Sequence, residues 1–489
     1  MKERNDLELM LRSQVPIISI ETLEEPRLLQ LLTRLSMRLH APLFQWSVTN
    51  GIRRLEVDSP PQRITAEPAE ALKHIKAITQ PGVYLLLDFH PYLDDPIHVR
   101  LLKEIAQDYE NTPRTLILVS HRFSIPPEIR HLTARFTLHL PDRERIRSLI
   151  KEEAVKWQQS QKRKIEINRE AVDQLANNLV GLTTSDARRL ICHAIQDDGA
   201  ITKDDIPKVS EAKFKLMGDD GLITFEYDTA NFSDVAGLQH LKTWLEHRRS
   251  AFMGKSSSLD RPKGIMLLGV QGCGKSLAAK AVAGNFAIPL LRLDFGVLFN
   301  KYIGETEKNL RQTLQTAEAM APCVLWIDEI EKGLSQENSD NGTSQRILGT
   351  LLTWMAENKS GVFIVATSNN IESLPAELVR KGRLDEIFFV DLPDADTRGA
   401  IFDIHLRGRN LAPSAFDLTA LMARSEGFSG AEIEQAVVSA LYTARARDSL
   451  LDQQGLVAEL DGTRPLSTIM ANKITALRDW AKDRTVAAN

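Results

Sequence analysis

The sequence predicts an α/β fold with two largely parallel sheets, and three observations lead to this class. Short β-rich runs alternate with longer helical patterns through most of the 489 residues, as expected for α/β units on a parallel sheet. Each half of the chain has five such runs, in the same relative order. In both halves an acid ends the third run, and Pro-Asp closes the fifth. We therefore predict an internal duplication, with two unrelated α/β domains as the alternative.

Each predicted strand is a short apolar run that stands between polar or helical segments. The first-half candidates are residues 17–20, 43–46, 83–87, 115–119 and 136–140. The second-half candidates are residues 264–268, 289–293, 323–327, 362–366 and 387–392. A helical region is predicted from about residue 396 onwards.

Length, charge and cysteine content exclude several classes of protein. Lys and Arg total 61 and Asp and Glu total 65, so the net charge is −4, which argues against a polyanion binder with a plainly basic footprint. A length of 489 residues predicts two to four domains. The three cysteines are too few for a disulfide framework. No apolar run is long enough to span a bilayer and no signal-peptide pattern opens the chain, so we expect a cytoplasmic or plastid-stromal protein.

The segment Gly269-Val270-Gln271-Gly272-Cys273-Gly274-Lys275-Ser276 fits the phosphate-loop pattern, and an apolar strand precedes it and an alanine-rich helix follows it. Its glycines let backbone N–H groups turn towards a phosphate at a helix N-terminus. Lys275 can reach the β- and γ-phosphates and the Ser276 hydroxyl can bind Mg²⁺. A merely glycine-rich turn is the alternative. The pattern predicts a site for ATP and Mg²⁺.

Three further elements follow at the ends of later strands. Asp328 and Glu329 end an apolar strand, where Asp328 can hold Mg²⁺ through its water shell and Glu329 can polarise an attacking water. Asn369 follows the next strand and can orient that water or bind the γ-phosphate. Arg380 and Arg383 can stabilise the transferring phosphoryl group from a neighbouring subunit. A solvated strand end, a turn asparagine and surface arginines are the respective alternatives.

These elements, in this order, resemble the AAA+ ATPases, and within them the narrower AAA group, over roughly residues 228–448. The resemblance implies a three-layer P-loop NTPase module with a C-terminal helical lid. It assigns Asp328-Glu329 to Walker B, Asn369 to sensor 1, and Arg380 and Arg383 to the arginine fingers. It further implies nucleotide contacts from the following residues: Val235, Ala236, Gly269, Gln271, Gly272, Cys273, Gly274, Lys275, Ser276, Leu277, Gly430 and Ala431. Ser276 and Asp328 are the implied metal ligands.

Lys301-Tyr302-Ile303-Gly304-Glu305 resembles the family's pore loop 1, with Tyr302 as the aromatic residue. An aromatic ring with a polar tip can grip unrelated protein chains, whereas local packing of Tyr302 is the alternative. The resemblance implies a homo-oligomer, a hexamer in this family, and an unknown protein substrate. The segment from Trp326 to Gly333 and the N-terminal half are most similar to the conserved open-reading-frame AAA proteins of cyanobacteria and algal plastids.

The first half keeps the strand rhythm without a phosphate loop, because Glu21-Thr22-Leu23-Glu24-Glu25-Pro26 is acidic and lacks glycine. Its Walker B counterpart is Asp88-Phe89, and its sensor 1 counterpart is Val119-Ser120-His121. We predict four parts: residues 1–199 as a degenerate AAA-like α/β domain that binds no ATP, residues 200–231 as a linker, residues 232–394 as the ATPase core, and residues 395–489 as the helical lid and C-terminal helices.

Three functions remain open. The first is an ATP-driven remodeller of a protein partner, in which the neighbouring subunit completes the site. The second is a slow, nucleotide-switched adaptor that recruits a partner through its first half. The third is a nucleic-acid motor, against which the charge and the lack of a basic, aromatic stripe argue. The sequence contains no His-Glu-x-x-His zinc motif, so we do not expect a fused metalloprotease. Cys273 either makes the ATPase sensitive to oxidation or is an incidental small residue.

Overall fold

The computed structural model describes residues 2–489 except 58–62, 218–221, 228–229, 231, 254–258, 296–305, 335–340, 372–373 and 381. The chain divides into two compact units. The first contains residues 1–153 and 181–191, and the second contains residues 154–180 and 192–489. Among the described residues, no helix is long and apolar enough to cross a bilayer.

The first unit contains a mostly parallel sheet whose described strands run in the order β3-β2-β4-β5-β1-β6. The strands are β1 (Ile17–Glu21), β2 (Leu43–Ser47), β3 (Gly51–Arg54), β4 (Gly82–Leu87), β5 (Arg114–Ser120) and β6 (Thr133–Thr137). The helices are α1 (Lys2–Arg12), α2 (Glu25–Leu39), α3 (Pro68–Ala77), α4 (Pro96–Gln107) and α5 (Pro127–Arg130). The predicted strand at residues 136–140 begins three residues earlier, and the antiparallel strand β3 was not predicted.

Alternating side chains of this sheet point to its opposite faces and pack into two separate hydrophobic cores. Leu86 and Leu116 face the helices α3 and α4, where they pack with Leu102. Leu85 and Ile117 face the other way and pack with the helix α2. Burial on both faces explains why the strands are continuous apolar runs, as parallel sheets require.

Four helices and a two-stranded sheet follow. They are α6 (Arg143–Gln161), β7 (Glu166–Ile167), α7 (Arg169–Asn178), α8 (Thr184–Asp198), β8 (Ala200–Ile201) and α9 (Asp205–Leu216). The residues 200–231, predicted as a linker, therefore include α9 and the next strand. Phe214 of α9 is buried in the core beneath the second sheet. The sequence did not reveal this helix, because the charged residues of the segment obscured the apolar face of α9.

The second unit contains a mostly parallel sheet whose described strands run in the order β9-β11-β12-β13-β10-β14-β15. The strands are β9 (Ile223–Glu226), β10 (Gly264–Gly269), β11 (Leu290–Asp294), β12 (Cys323–Asp328), β13 (Val362–Ser368), β14 (Glu386–Val390) and β15 (Val486–Ala487). The helices between them are α10 (Gln239–Phe252), α11 (Lys275–Phe286), α12 (Thr306–Ala319), α13 (Glu331–Leu334), α14 (Asn341–Glu357) and α15 (Ala376–Val379). Helices pack on both faces of the sheet, which gives the predicted three layers.

A helical lid follows this sheet around a core of its own that includes Phe402, Phe428 and Val437. Its helices are α16 (Ala395–Arg407), α17 (Leu418–Arg424), α18 (Gly430–Ala446), α19 (Gln453–Gly462) and α20 (Leu466–Ile469), with α21 (Ala471–Ala481) after them. Leu477 of α21 packs back on the core beneath the sheet. The chain ends in the strand β15, where the sequence predicted only helices.

The two sheets share one strand order, since β2-β4-β5-β1-β6 corresponds to β11-β12-β13-β10-β14. Both β5 and β13 have seven residues, and their ladders match Leu86 to Ile327, so the residues that follow, Leu87 and Asp88, correspond to Asp328 and Glu329. Asp88 and Glu329 also share a left-handed backbone, with φ of 49° and 47°. The proposed match of Asp88 to Asp328 was therefore wrong by one residue, because sequence alone does not reveal ladder register.

Candidate nucleotide-binding site

The phosphate loop lies between β10 and α11, and its glycines are required by its geometry. Gly272 and Gly274 have positive φ values of 79° and 87°. At Gly269 a Cβ atom would lie 2.0 Å from the Val390 carbonyl oxygen, which is closer than any contact allows. The helix α11 begins at Lys275, directly after the loop, and no side chain caps its N-terminus. The first N–H groups of a helix are available to an anion in this position.

Lys275 is the cation of this loop, and its side chain is only 6% exposed. Its ammonium donates to the carbonyl oxygens of Gly269 and Val270, at 2.9 Å and 2.7 Å. Burial lowers the pKa of Lys275 to about 8, although nearby groups that include Glu331 and Glu329 act in the opposite direction. A buried ammonium held by its own loop is a ready partner for an anion.

A cavity of about 560 Å³ opens beside the loop. Most of the predicted site residues line it: Val235, Ala236, Gln271, Gly272, Cys273, Gly274, Lys275, Ser276, Leu277, Asp328, Glu329, Asn369, Gly430 and Ala431. Gly269 forms the strand end behind the cavity. Thr367, His405 and Asn489 also line it and were not predicted.

Thr367 fixes both acids at the end of β12. Its hydroxyl donates to Asp328 Oδ1 at 2.8 Å and accepts from the backbone N–H of Glu329 at 3.0 Å. The other oxygen of Asp328 accepts from the guanidinium of Arg292 on β11, at 2.9 Å. That guanidinium lies over the Trp326 ring, 4.9 Å from its centroid. The sequence signal for Arg292 was a lone cation inside an apolar strand.

Asn369 holds the carboxylate of Glu329, since its side-chain amide donates to Glu329 Oε1 at 2.9 Å. Its own backbone N–H donates to Oε1 of Glu331, also at 2.9 Å. Glu331 is 8% exposed, and its second oxygen has no hydrogen-bond partner among the described residues. Lys332 forms an ion pair with the other side of Glu329. The predicted base and the predicted sensor are therefore in direct contact.

Comparison with known proteins identifies this arrangement. Residues 265–392 match the family described as ATPase family associated with various cellular activities (AAA). Residues 3–138 and 144–220 match the N-terminal and second domains of SpoVK-like AAA ATPases. The uncharacterized AAA domain-containing protein ycf46 of Guillardia theta is 35% identical over 97% of this chain and 94% of its own length. The chain belongs to the AAA ATPase family.

Two further relatives of this AAA protein carry the same description. The ycf46 protein of Trieres chinensis is 33% identical, over 98% of this chain and 97% of its own length. The ycf46 protein of Pyropia yezoensis is 34% identical, over 99% and 98% respectively. The SpoVK-like matches cover the first half, so its AAA-like fold is confirmed. Family membership places the chain among the nucleotide-binding P-loop proteins.

The donor set of the AAA module suits Mg²⁺ bound together with a nucleotide. Ser276 and Asp328 both line the cavity and present a hydroxyl and a carboxylate. Mg²⁺ keeps most of its waters and needs only one or two protein ligands. Among the described residues, no group of three or more His, Cys, Asp or Glu side chains is placed to hold a metal ion. The residues fit a metal ion that is bound jointly by the nucleotide phosphates and one or two protein ligands, and not one that is bound by protein ligands alone.

The lid of the AAA module touches the phosphate loop directly. Ser429 and Glu432 form a reciprocal capping box at the start of α18. The backbone N–H of Ala431 then donates to the carbonyl oxygen of Gly272 at 3.0 Å. The first turn of this lid helix is thus fastened to the loop that would hold the phosphates.

Arg380 and Arg383, the predicted arginine fingers, do not line the cavity of their own chain. Arg380 is exposed, and Arg383 donates to the carbonyl oxygen of Glu377. Tyr302 lies outside the described residues. These three assignments remain predictions.

Cys273 also lines the cavity, but burial raises the pKa of its thiol to about 12. Reaction with oxidants proceeds through the thiolate. A thiol that stays protonated at neutral pH favours the interpretation of Cys273 as an incidental small residue.

Proposed function

We propose that this AAA protein hydrolyses ATP with Mg²⁺ and uses the energy to remodel a protein partner, as a ring of identical subunits. The observation that carries the proposal is the contact between Asn369 and Glu329, in the cavity that Asp328 and Lys275 also line. Carboxylate, amide and ammonium are the groups that phosphoryl transfer to water requires.

Each residue has one role in this proposal. Lys275 and the backbone of the phosphate loop bind the β- and γ-phosphates, and Ser276 and Asp328 hold Mg²⁺ and its waters. Bound Mg²⁺ would supply charge neutralisation at the phosphates. Glu329 orients the attacking water, and Asn369 keeps that carboxylate pointed at the cavity. Arg292 and Thr367 keep Asp328 in place.

The arginines argue for assembly. Arg380 is exposed and neither arginine reaches its own cavity, so we assign both to the cavity of the next subunit. A head-to-tail contact of this kind closes into a ring or continues as a filament. We propose a hexamer, with Tyr302 at the pore gripping the substrate chain and the first unit contacting the partner. Cytoplasm or plastid stroma is the proposed location.

The deciding experiment compares two variants in steady-state ATP hydrolysis and in nucleotide binding. Lys275→Ala should abolish binding, because it removes the phosphate-loop cation. Glu329→Gln should still bind ATP but lose at least roughly a hundredfold in turnover, because the amide cannot polarise water. Glu318→Gln, on the far helix α12, is the matched control for the carboxylate change. Near-normal turnover in Glu329→Gln would remove Glu329 from the reaction.

A second function is favoured by one contact, the ion pair between Lys332 and Glu329. A base engaged by its own chain suits a slow, nucleotide-switched adaptor, which would recruit its partner through the first unit. Tyr302→Ala separates the two functions. Loss of partner remodelling in that variant supports the ring remodeller, whereas full biological activity supports the adaptor.

A further inference from the structure

The helix α10 begins without a capping residue of its own. Leu238 occupies the N-cap position and provides no side-chain hydrogen bond. An apolar N-cap leaves the first N–H groups of a helix without acceptors, at a cost of about 1 kcal/mol relative to Ser, Asp or Asn. In the loop before this helix, residues 234–238, all but Gly237 line the nucleotide cavity. Whatever completes the helix start therefore also fixes one wall of the cavity.

The missing acceptors come from the segment Val486–Asn489, which we call the closing segment. Asn489 Oδ1 accepts from the backbone N–H of Leu238. The carbonyl oxygen of Ala488 accepts from the N–H of Leu241 at 3.2 Å. The carbonyl oxygen of Ala487 lies 3.3 Å from His240 Nδ1. Three consecutive residues thus meet the first turn of α10.

The sheet holds the closing segment in place. Val486 and Ala487 pair with Phe388 and Phe389 of β14. Ala488 donates to the Phe389 carbonyl oxygen at 3.0 Å, and its side chain is 1% exposed within the core. A segment bonded on one side and buried on the other is a rigid support.

The fit at the cavity is close. Asn489 itself lines the cavity. Gly237 has a φ of 68°, and a Cβ atom there would lie 2.8 Å from Asn489 Oδ1. Glycine at position 237 therefore allows both the left-handed backbone and the approach of the asparagine.

We propose that the closing segment is part of the nucleotide site, and that Asn489 is a positioning residue which sets the base-binding conformation of residues 234–238. This inference rests on the proposed function, because a nucleotide whose phosphates lie at Lys275 must place its base against another wall of the cavity, and residues 234–238 provide such a wall. The phosphates are held elsewhere, by Lys275 and its loop. Loss of Asn489 should therefore weaken binding of a nucleotide but not of its phosphates alone.

The test uses ADP and inorganic pyrophosphate, since neither requires hydrolysis of ATP. The full-length chain is titrated with each ligand in a calorimeter, in the presence of Mg²⁺. Asn489→Leu, which removes the acceptor at similar size, should raise the Kd for ADP roughly tenfold, the equivalent of about 1.4 kcal/mol. Its Kd for pyrophosphate should stay within about twofold of the wild-type value.

Two variants serve as controls. Asn489→Asp keeps the acceptor for Leu238 and should restore ADP binding. Asp483→Asn changes an exposed side chain that lies just outside the closing segment and should behave as the wild type. Equal weakening for ADP and pyrophosphate, or an unchanged ADP affinity in Asn489→Leu, would overturn the inference and leave the proposed function standing. A wild-type chain that binds no ADP overturns both.

Discussion

At the scale of single residues, the site depends on how Lys275 is buried. Its ammonium has two carbonyl partners and no direct carboxylate partner among the described contacts. Carbonyl oxygens stabilise the charge only in part, so burial dominates and lowers the pKa to about 8. An anion that enters the loop must favour the charged form, and binding is thereby linked to pH.

We expect ADP affinity to fall as the pH rises above about 8, because the free protein then loses the Lys275 proton that binding requires. The fall should approach tenfold per pH unit at its steepest. Titrations with ADP between pH 7 and pH 9.5 measure it. In Lys275→Arg the side chain keeps its charge across this range. The affinity of this variant for ADP, even if weaker, should therefore not change with pH. A wild-type profile as level as that of the variant would refute the linkage.

At the scale of elements, α9 shows how a charged segment can hold a buried cation. Lys213 is fully buried, and its ammonium donates to the carbonyl oxygens of Asn178 and Val180, each at 2.7 Å. These carbonyls lie at the end of α7, where cations are favoured. Burial still lowers the pKa of Lys213 to about 7, with Cys323 nearby. The end of α7 is thus capped by a distant helix.

Replacement of Lys213 should change how stability depends on pH. Folding lowers this pKa from 10.5 to about 7, so the unfolded chain binds the extra proton between these values. The stability of the wild type relative to Lys213→Met should therefore rise with pH across that window, by up to about 1.4 kcal/mol per unit. Urea unfolding at pH 6.5, 7.5, 8.5 and 9.5 tests this. Lys215→Met, at an exposed position on the same helix, should show no such rise.

At the scale of the whole molecule, two sheets of one strand order carry different chemistry. In the first sheet, Leu87 replaces the first acid and an acidic, glycine-free segment follows β1. In the second, Asp328 ends β12 and Asn369 follows β13, and both line the cavity. Arg380 and Arg383 do not line this cavity, and we propose that they complete the cavity of the next subunit. Activity is therefore expected to belong to the assembly.

A mixing experiment tests completion between subunits. Lys275→Ala subunits lack a working loop but retain their arginines, and Arg383→Ala subunits have the reverse defect. Each variant alone should be nearly inactive in ATP hydrolysis. An equal mixture in a head-to-tail ring should recover about a quarter of wild-type activity, since one site in four pairs an intact loop with an intact arginine. No recovery after subunit exchange would contradict the assignment in trans.

The sequence predicted those parts of the site that lie within short, continuous motifs. The phosphate loop, Asp328, Glu329 and Asn369 each lie at a strand end that the pattern revealed, and the structure brings them to one cavity. The contributions of Arg292 and Asn489 could not be predicted, because each reaches the site from a distant part of the chain. Ladder register explains the misplacement of Asp88.

Among the strands that the two sheets share, the earliest along the chain lies inside the sheet in both cases. The strand β1 is between β5 and β6, and β10 is between β13 and β14. A ribosome releases these strands long before the neighbours that must flank them. Neither half can close its sheet until its final long strand has been synthesised. The nucleotide wall supported by Asn489 waits longer still, because that contact joins residues 251 positions apart. Translation would thus deliver the first half folded before the second half is able to bind its nucleotide.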